Sequence, residues 1–146
     1  IMDNICLPSY DKIKKGVYIA PKEERSLAQK ESDVLKIKMS SLKQLCGQLS
    51  GGNKQKVALA KWLGNDSDIL ILDCPTRGID VGVKAAIYKL MDDYRKEGKS
   101  ILMISEELPE LIGMSDRILI LKDGMISKEF DRSRDLTESE AIKYMI

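Results

Sequence analysis

The stretch "ILILDCPTRGID", Ile69 to Asp80, decides the reading of this chain. Ile69 to Leu72 form an unbroken aliphatic run that ends in Asp73, and such a run suits a strand buried on both faces. Immediately after the acid, Pro75, Thr76, Arg77, Gly78 and Asp80 make a polar loop. The following "DVGVKAAIYKLMDDYRKEG" carries Val83, Ile87, Leu90, Met91 and Tyr94 at helical spacing, with Asp80 as N-cap and Gly98 beyond the end. "SILMIS" then repeats the buried-strand pattern. Strand, long helix and strand imply a parallel pair joined by a right-handed crossover, hence an α/β fold. Asp73 would then stand at the C-terminal end of a strand, where parallel sheets place ligands and where a carboxylate can hold Mg²⁺ through its water shell.

Downstream, "SEELPELIGMSD" reads as a short helix capped by Ser105, with Glu106 in its first turn. "RILILKDGMISKEF" reads as a hairpin turned at Asp123-Gly124, and "TESEAIKYMI" begins with the capping-box spacing of Thr137 and Glu140. Upstream, residues 1–20 look irregular, punctuated by Pro8 and Gly16. "PKEERSLAQKESDVLKIK" suits a solvated, charged helix anchored by Leu27, Val34 and Leu35. A further helix begins at Gly51-Gly52, turns Val57, Leu59, Ala60 and Leu63 inward or nearly so, and stops at Gly64-Asn65.

The 146 residues suit one domain, and their charge is nearly balanced at 24 Lys plus Arg against 23 Asp plus Glu. That balance argues against a nucleic-acid stripe or a polybasic membrane anchor. Apolar runs of a few residues are far below the roughly 20 needed to span a bilayer, so the chain reads as soluble. Cys6, Cys46 and Cys74 are odd in number and lack CxxC spacing, which favours reduced cytosolic thiols; with no histidine, His-based triads and His-ligated metals are excluded. "IMDNICLPSY" is neither a start methionine nor a signal peptide, and the chain is expected to begin mid-protein.

"LSGGNKQK", Leu49 to Lys56, is the second chemical motif. Its glycines let the backbone approach a phosphate, Ser50 adds a hydroxyl, and a helix start aims free amides at an anion. Alone this pattern is weak, because a serine-capped helix after a glycine turn is commoner than an anion site. Asp73 lies 23 residues after Ser50, and the conjunction is specific.

"LSGG…QK…LA…L" followed by "ILILD.PT.G.D" resembles the ATP-binding-cassette (ABC) ATPase family, with signature loop, Walker B strand and D-loop in order. "TRGIDVG" is similar to the second cassette of tandem-cassette importers for ribose, galactose and related sugars. The resemblance implies the C-terminal half of a RecA-like P-loop NTPase core joined to the ABC helical subdomain, the latter over residues 1–64 and the core over 65–146. It implies ATP and Mg²⁺ as cofactors, with Ser50, Gly51, Gly52, Asn53, Gln55 and Asp80 toward nucleotide and Asp73 toward the metal. Its partners would be a second cassette, membrane permease subunits and, indirectly, a sugar-binding protein, with no nucleic acid, at the cytoplasmic face of the cell membrane. The signature loop would act in trans on the partner cassette.

Three departures qualify the resemblance. No phosphate loop G-x-x-x-x-G-K-[ST] occurs, and "GKS" at Gly98 to Ser100 is a helix stop before a strand, the reverse order. This chain by itself is expected not to hydrolyse ATP. Cys74 replaces the family's glutamate, and a thiol is a poor base for water. Glu106 stands where the family's switch histidine contacts the γ-phosphate, and an anion there repels an anion. The own site is therefore expected to bind nucleotide without efficient turnover. Unpaired strands should expose an edge or an apolar face, so self-association is expected. The alternatives are a non-transport ABC protein acting on ribosomes or DNA, or a regulatory nucleotide-binding cassette; the near-neutral composition argues against the former.

Overall fold

The N-terminal 20 residues are ordered in the computed structural model, which describes residues 1–79, 81–132 and 136–146. They form α1 (Met2–Cys6), a 3-10 turn (Leu7–Ser9), α2 (Tyr10–Ile13) and a hairpin of β1 (Lys14–Lys15) with β2 (Tyr18–Ile19). This corrects the expectation of irregular chain. Elements of two to five residues carry no periodic signal, and α1 is held by packing on two later helices, with Ile5 and Cys6 fully buried. Gly16, at φ +65, turns the hairpin.

Contacts divide the chain into two compact units, Ile1–Leu70 with Thr76–Leu102, and Ile71–Pro75 with Met103–Ile146. In the first, α3 (Pro21–Val34) begins with Pro21 in its first turn and Glu23 and Glu24 behind it. Its buried stripe is Ala28, Glu31, Ser32 and Leu35, spaced i, i+3, i+4, i+7. Val34 is 58% exposed, so it is not the anchor its hydrophobicity suggested. At 100° per residue it lies about 110° round from that stripe. The helix ends in a Schellman motif: Lys36 adopts φ +49, Ile37 N–H donates to Ser32 O (2.9 Å), and Lys36 N–H donates to Asp33 O (3.1 Å). Next, α4 (Gly51–Leu63) buries Val57, Leu59 and Ala60 and ends at Gly64. The α1, α3 and α4 helices pack on one another, and α5 (Val81–Lys96) buries Ile87, Leu90, Met91 and Tyr94. Asp80, expected as its N-cap and as part of the D-loop, lies outside the described residues.

Strands β3 (Ile69–Asp73) and β4 (Ser100–Ile104) pair. Ser100 N–H donates to Asp68 O and Cys74 N–H to Ile104 O, each at 2.9 Å, so both strands run the same way, as the strand-helix-strand pattern required. The double burial expected of "ILILD" is corrected. Leu70 and Leu72 are buried, but Ile69 and Ile71 are each 65% exposed, and Leu102 and Ile104 on β4 are about half exposed. One face of this sheet has no cover among the described residues.

The second unit continues through α6 (Leu108–Met114), β5 (Arg117–Lys122), β6 (Met125–Asp131) and α7 (Glu138–Ile142). The β5–β6 hairpin turns at Asp123 (φ +49) and Gly124 (φ +77), the two positive angles of a type I′ turn. Ile118, Ile120 and Ala141 form a core against Leu108, Leu111, Ile112, Phe130, Leu136 and Tyr144. Thr137 caps α7 through its hydroxyl, which accepts from Glu140 N–H. The α6 helix starts later than expected, with Glu107 as N-cap; Ser105 Oγ accepts from Glu107 N–H and donates to the buried Glu110. Glu106 therefore precedes the helix rather than standing in its first turn.

Candidate functional site

The first turn of α4 is built to leave polar groups open. Ser50 is the N-cap residue, yet its hydroxyl caps no backbone amide. The first intrahelical bond is Lys54 N–H to Ser50 O (2.9 Å), which leaves the amides of Gly51, Gly52 and Asn53 ahead of the ladder. Among the described residues, a Cβ added at Gly51 meets nothing within 4 Å beyond its own helix, so the space above this backbone is clear of them. The serine-capped helix of ordinary loops is not what the chain forms.

Ser50, Gly52 and Asn53 line a cleft of about 390 Å³ with Lys38, Lys56, Gly82 and Val83. Asn53 binds both walls: its Oδ1 accepts from Lys38 N–H (2.9 Å) and its Nδ2 donates to Ser50 Oγ (3.0 Å). Lys56 Nζ donates to Lys36 O (3.2 Å). The end of α3 is thus tied twice to the start of α4, and Lys38 and Lys56 line the cleft beside the open amides. Such a donor set fits the phosphate end of a nucleotide, because free amides, a hydroxyl, the positive helix end and lysines all favour an anion. Gln55 is half-buried on α4 and is not among the lining residues.

Sequence reading did not single out Lys38 and Lys56 as site residues. Lys56 was detectable, since it lies four residues after Gly52 and so on the same helix face. Lys38 was not, because its approach depends on the Schellman turn and a contact across 15 residues.

The second group lies at the C-terminal ends of β3 and β4. Asp73 is exposed at the end of β3, and Cys74 follows in a left-handed conformation (φ +46), held by its amide to Ile104 O. Pro75 and Thr76 behind it are fully buried. Glu106 is exposed two residues beyond Ile104, so the two departures from the family pattern occupy the ends of neighbouring strands. Among the described residues no cluster of three or more metal-ligating side chains occurs. A single exposed carboxylate fits Mg²⁺, which keeps several waters and takes one or two protein carboxylates. All three cysteines are free. Burial pushes the Cys6 thiol up to about 11, and the Glu24 charge adds to this. No helix among the described residues is long and apolar enough to cross a membrane.

The ABC transporter family model matches residues 4–77. The xylose import ATP-binding protein XylG of Thermoanaerobacter pseudethanolicus is 49% identical over 130 residues, covering 89% of this chain and 26% of that protein. The ribose import ATP-binding protein RbsA of Jannaschia sp. is 40% identical over 144 residues, covering 99% of this chain and 28% of its own length. The chain thus spans little more than a quarter of these curated relatives. Among solved structures, an ATP-binding cassette in a dimeric, post-hydrolysis state bound to ADP and Pi superposes with a TM-score of 0.79 at 26% identity, over 90% of this chain and 56% of that one. A nucleotide-free ATP-binding cassette from an ABC transporter shares the fold at a TM-score of 0.74 and 22% identity, over 97% and 56%.

Proposed function

Because the chain belongs to the ABC transporter family, we propose that it is part of the ATP-binding cassette of a sugar importer, coupling ATP binding and hydrolysis to transport. Relatives with sugar-import names at 40–49% identity support the substrate class. In this reading residues 1–64 are the helical subdomain and 65–146 the C-terminal part of the RecA-like core. The cassette works beside a second cassette and docks on permease subunits at the cytoplasmic face of the membrane, fed indirectly by a sugar-binding protein. The apolar face of β3 and β4 drives self-association of this chain when it is on its own.

One observation carries the reading: the open first turn of α4, with clear space over Gly51 and lysines at its rim. Ser50, Gly51, Gly52 and Asn53, with Gln55 behind them, serve the terminal phosphoryl of a nucleotide held by the partner cassette. At the cassette's own site Asp73 takes the metal, which supplies charge neutralisation for phosphoryl transfer. Asp80 belongs to the same loop cluster by sequence. Cys74 stands where a carboxylate would accept a proton from water, and Glu106 opposes phosphate charge, so own-site hydrolysis is slow.

Two variants of the full-length protein test this. Ser50→Arg fills the cleft and is expected to abolish association of cassettes driven by Mg-ATP; wild-type association would refute the trans role. Cys74→Glu is expected to raise own-site phosphate release by about 10²–10⁴, the usual range for a general base. Unchanged turnover would show that the thiol is not what slows the site.

A further inference from the structure

We propose that Asn53 is a positioning residue that acts through the Ser50 hydroxyl, fixing it as a donor to a terminal phosphoryl oxygen; this rests on the reading of the cleft given above. The argument begins with the orientation of the amide. Its two polar ends face different partners, the Lys38 backbone at 2.9 Å and the Ser50 hydroxyl at 3.0 Å. A backbone N–H donates and never accepts, so the atom facing Lys38 must be the oxygen. The other end is then NH₂, a donor, and Ser50 Oγ must accept from it. A hydroxyl has one proton to give, and one that is already accepting keeps its own proton for a different partner.

The N-cap position adds the second half of the argument. A capping serine ordinarily spends its oxygen on the amide of the second or third helical residue. Here the side chain of the third residue, Asn53, takes that role on the oxygen, and no backbone amide is capped. Both the first-turn amides and the Ser50 proton are thereby left for a ligand. The Lys38 backbone supplies the reference that holds the amide in this orientation, and the Schellman turn at Lys36 supplies Lys38. Asn53 also lines the cleft, but its part here is to aim another group rather than to bind.

A double-mutant cycle on the full-length protein tests this, with Mg-ATP-driven association of the cassettes as the readout. Ser50→Ala is expected to weaken association about tenfold or more, the range for losing a hydrogen bond to a charged group. Asn53→Ala is expected to weaken it about fivefold with Ser50 present and less than twofold in the Ser50→Ala background. A merely structural tether to Lys38 would cost the same on both backgrounds, and that result overturns the proposal. Asn53→Asp provides a variant that keeps the tether: one carboxylate oxygen still accepts from Lys38 N–H, while the other draws the Ser50 proton inward. It is expected to lose more than the alanine variant; the part of the loss that disappears when Ser50→Ala is also present reports the turned hydroxyl, and the part that stays is repulsion between the new carboxylate and the phosphate. Near-wild-type association of Asn53→Asp also overturns the proposal. If Ser50→Ala itself has no effect, the phosphate reading of the cleft fails instead, so the two failures are told apart.

Discussion

Replacing Gly51 by alanine should move stability and function in opposite directions. Gly51 is the first residue of α4 and its φ is not among the positive angles, so alanine adopts its conformation without strain. Among the described residues, an added Cβ meets no atom within 4 Å beyond its chain neighbours and its own helix backbone. Removing glycine's freedom from the unfolded chain under these conditions stabilises by about 0.4–1 kcal/mol. For a chain of this length that is a rise of roughly 1–4 °C in Tm. The same methyl group occupies the space a phosphoryl oxygen would need to reach the first-turn amides. Losing a hydrogen bond to a charged group costs about 1.5–3 kcal/mol, a weakening of roughly ten- to hundredfold. Circular dichroism melts of the chain measure the first effect, and titration of Mg-ATP-driven association in the full-length protein measures the second. A fall in Tm would mean that the glycine serves the chain's own packing. Association at unchanged strength would remove the ligand from the explanation.

Other outcomes follow from buried charge and exposed sheet. Glu31 is 5% exposed, and burial raises its carboxyl above the ordinary range, partly offset by Lys30 Nζ at 3.5 Å. The sign follows from proton counting: between the unfolded and folded values the native state holds more protons, so stability falls as pH rises through that window. Glu31→Gln should therefore match wild type in urea melts at acid pH and exceed it at neutral pH; a wild-type chain that gains stability relative to the variant as pH rises contradicts this. Changing Ile71 and Ile104, both more than half exposed, to glutamate should convert self-associating chain to monomer by light scattering. Oligomers that persist in that variant would place the contact elsewhere.

Much of the fold could be read from local pattern. The hairpin turn was plain because Asp-Gly supplies both positive φ angles, and α5 was plain because five apolar residues repeat at helical period. Val34 misled because it is apolar, whereas the position that is buried holds Glu31, and an acid gives no hydrophobic signal. "ILILD" misled for a different reason: a continuous apolar run states what a strand can bury, and the described residues cover one face only. Ser50, Gly52 and Asn53 were pointed to by the family resemblance rather than by the weak local pattern, and they line one cleft. Of the lysines beside them, Lys56 could be placed by helix spacing, but Lys38 could not, because it arrives by a turn whose left-handed residue is itself a lysine rather than glycine.

That turn has a practical corollary for anyone wishing to transplant the motif. A synthetic octapeptide spanning Leu49 to Lys56 would contain every motif residue yet lack the carbonyl of Lys36 and the amide of Lys38, the two backbone groups that latch Lys56 and Asn53. Any graft that carries both latches must reach back at least to Lys36, and an insert confined to the motif would deliver the letters without the grip.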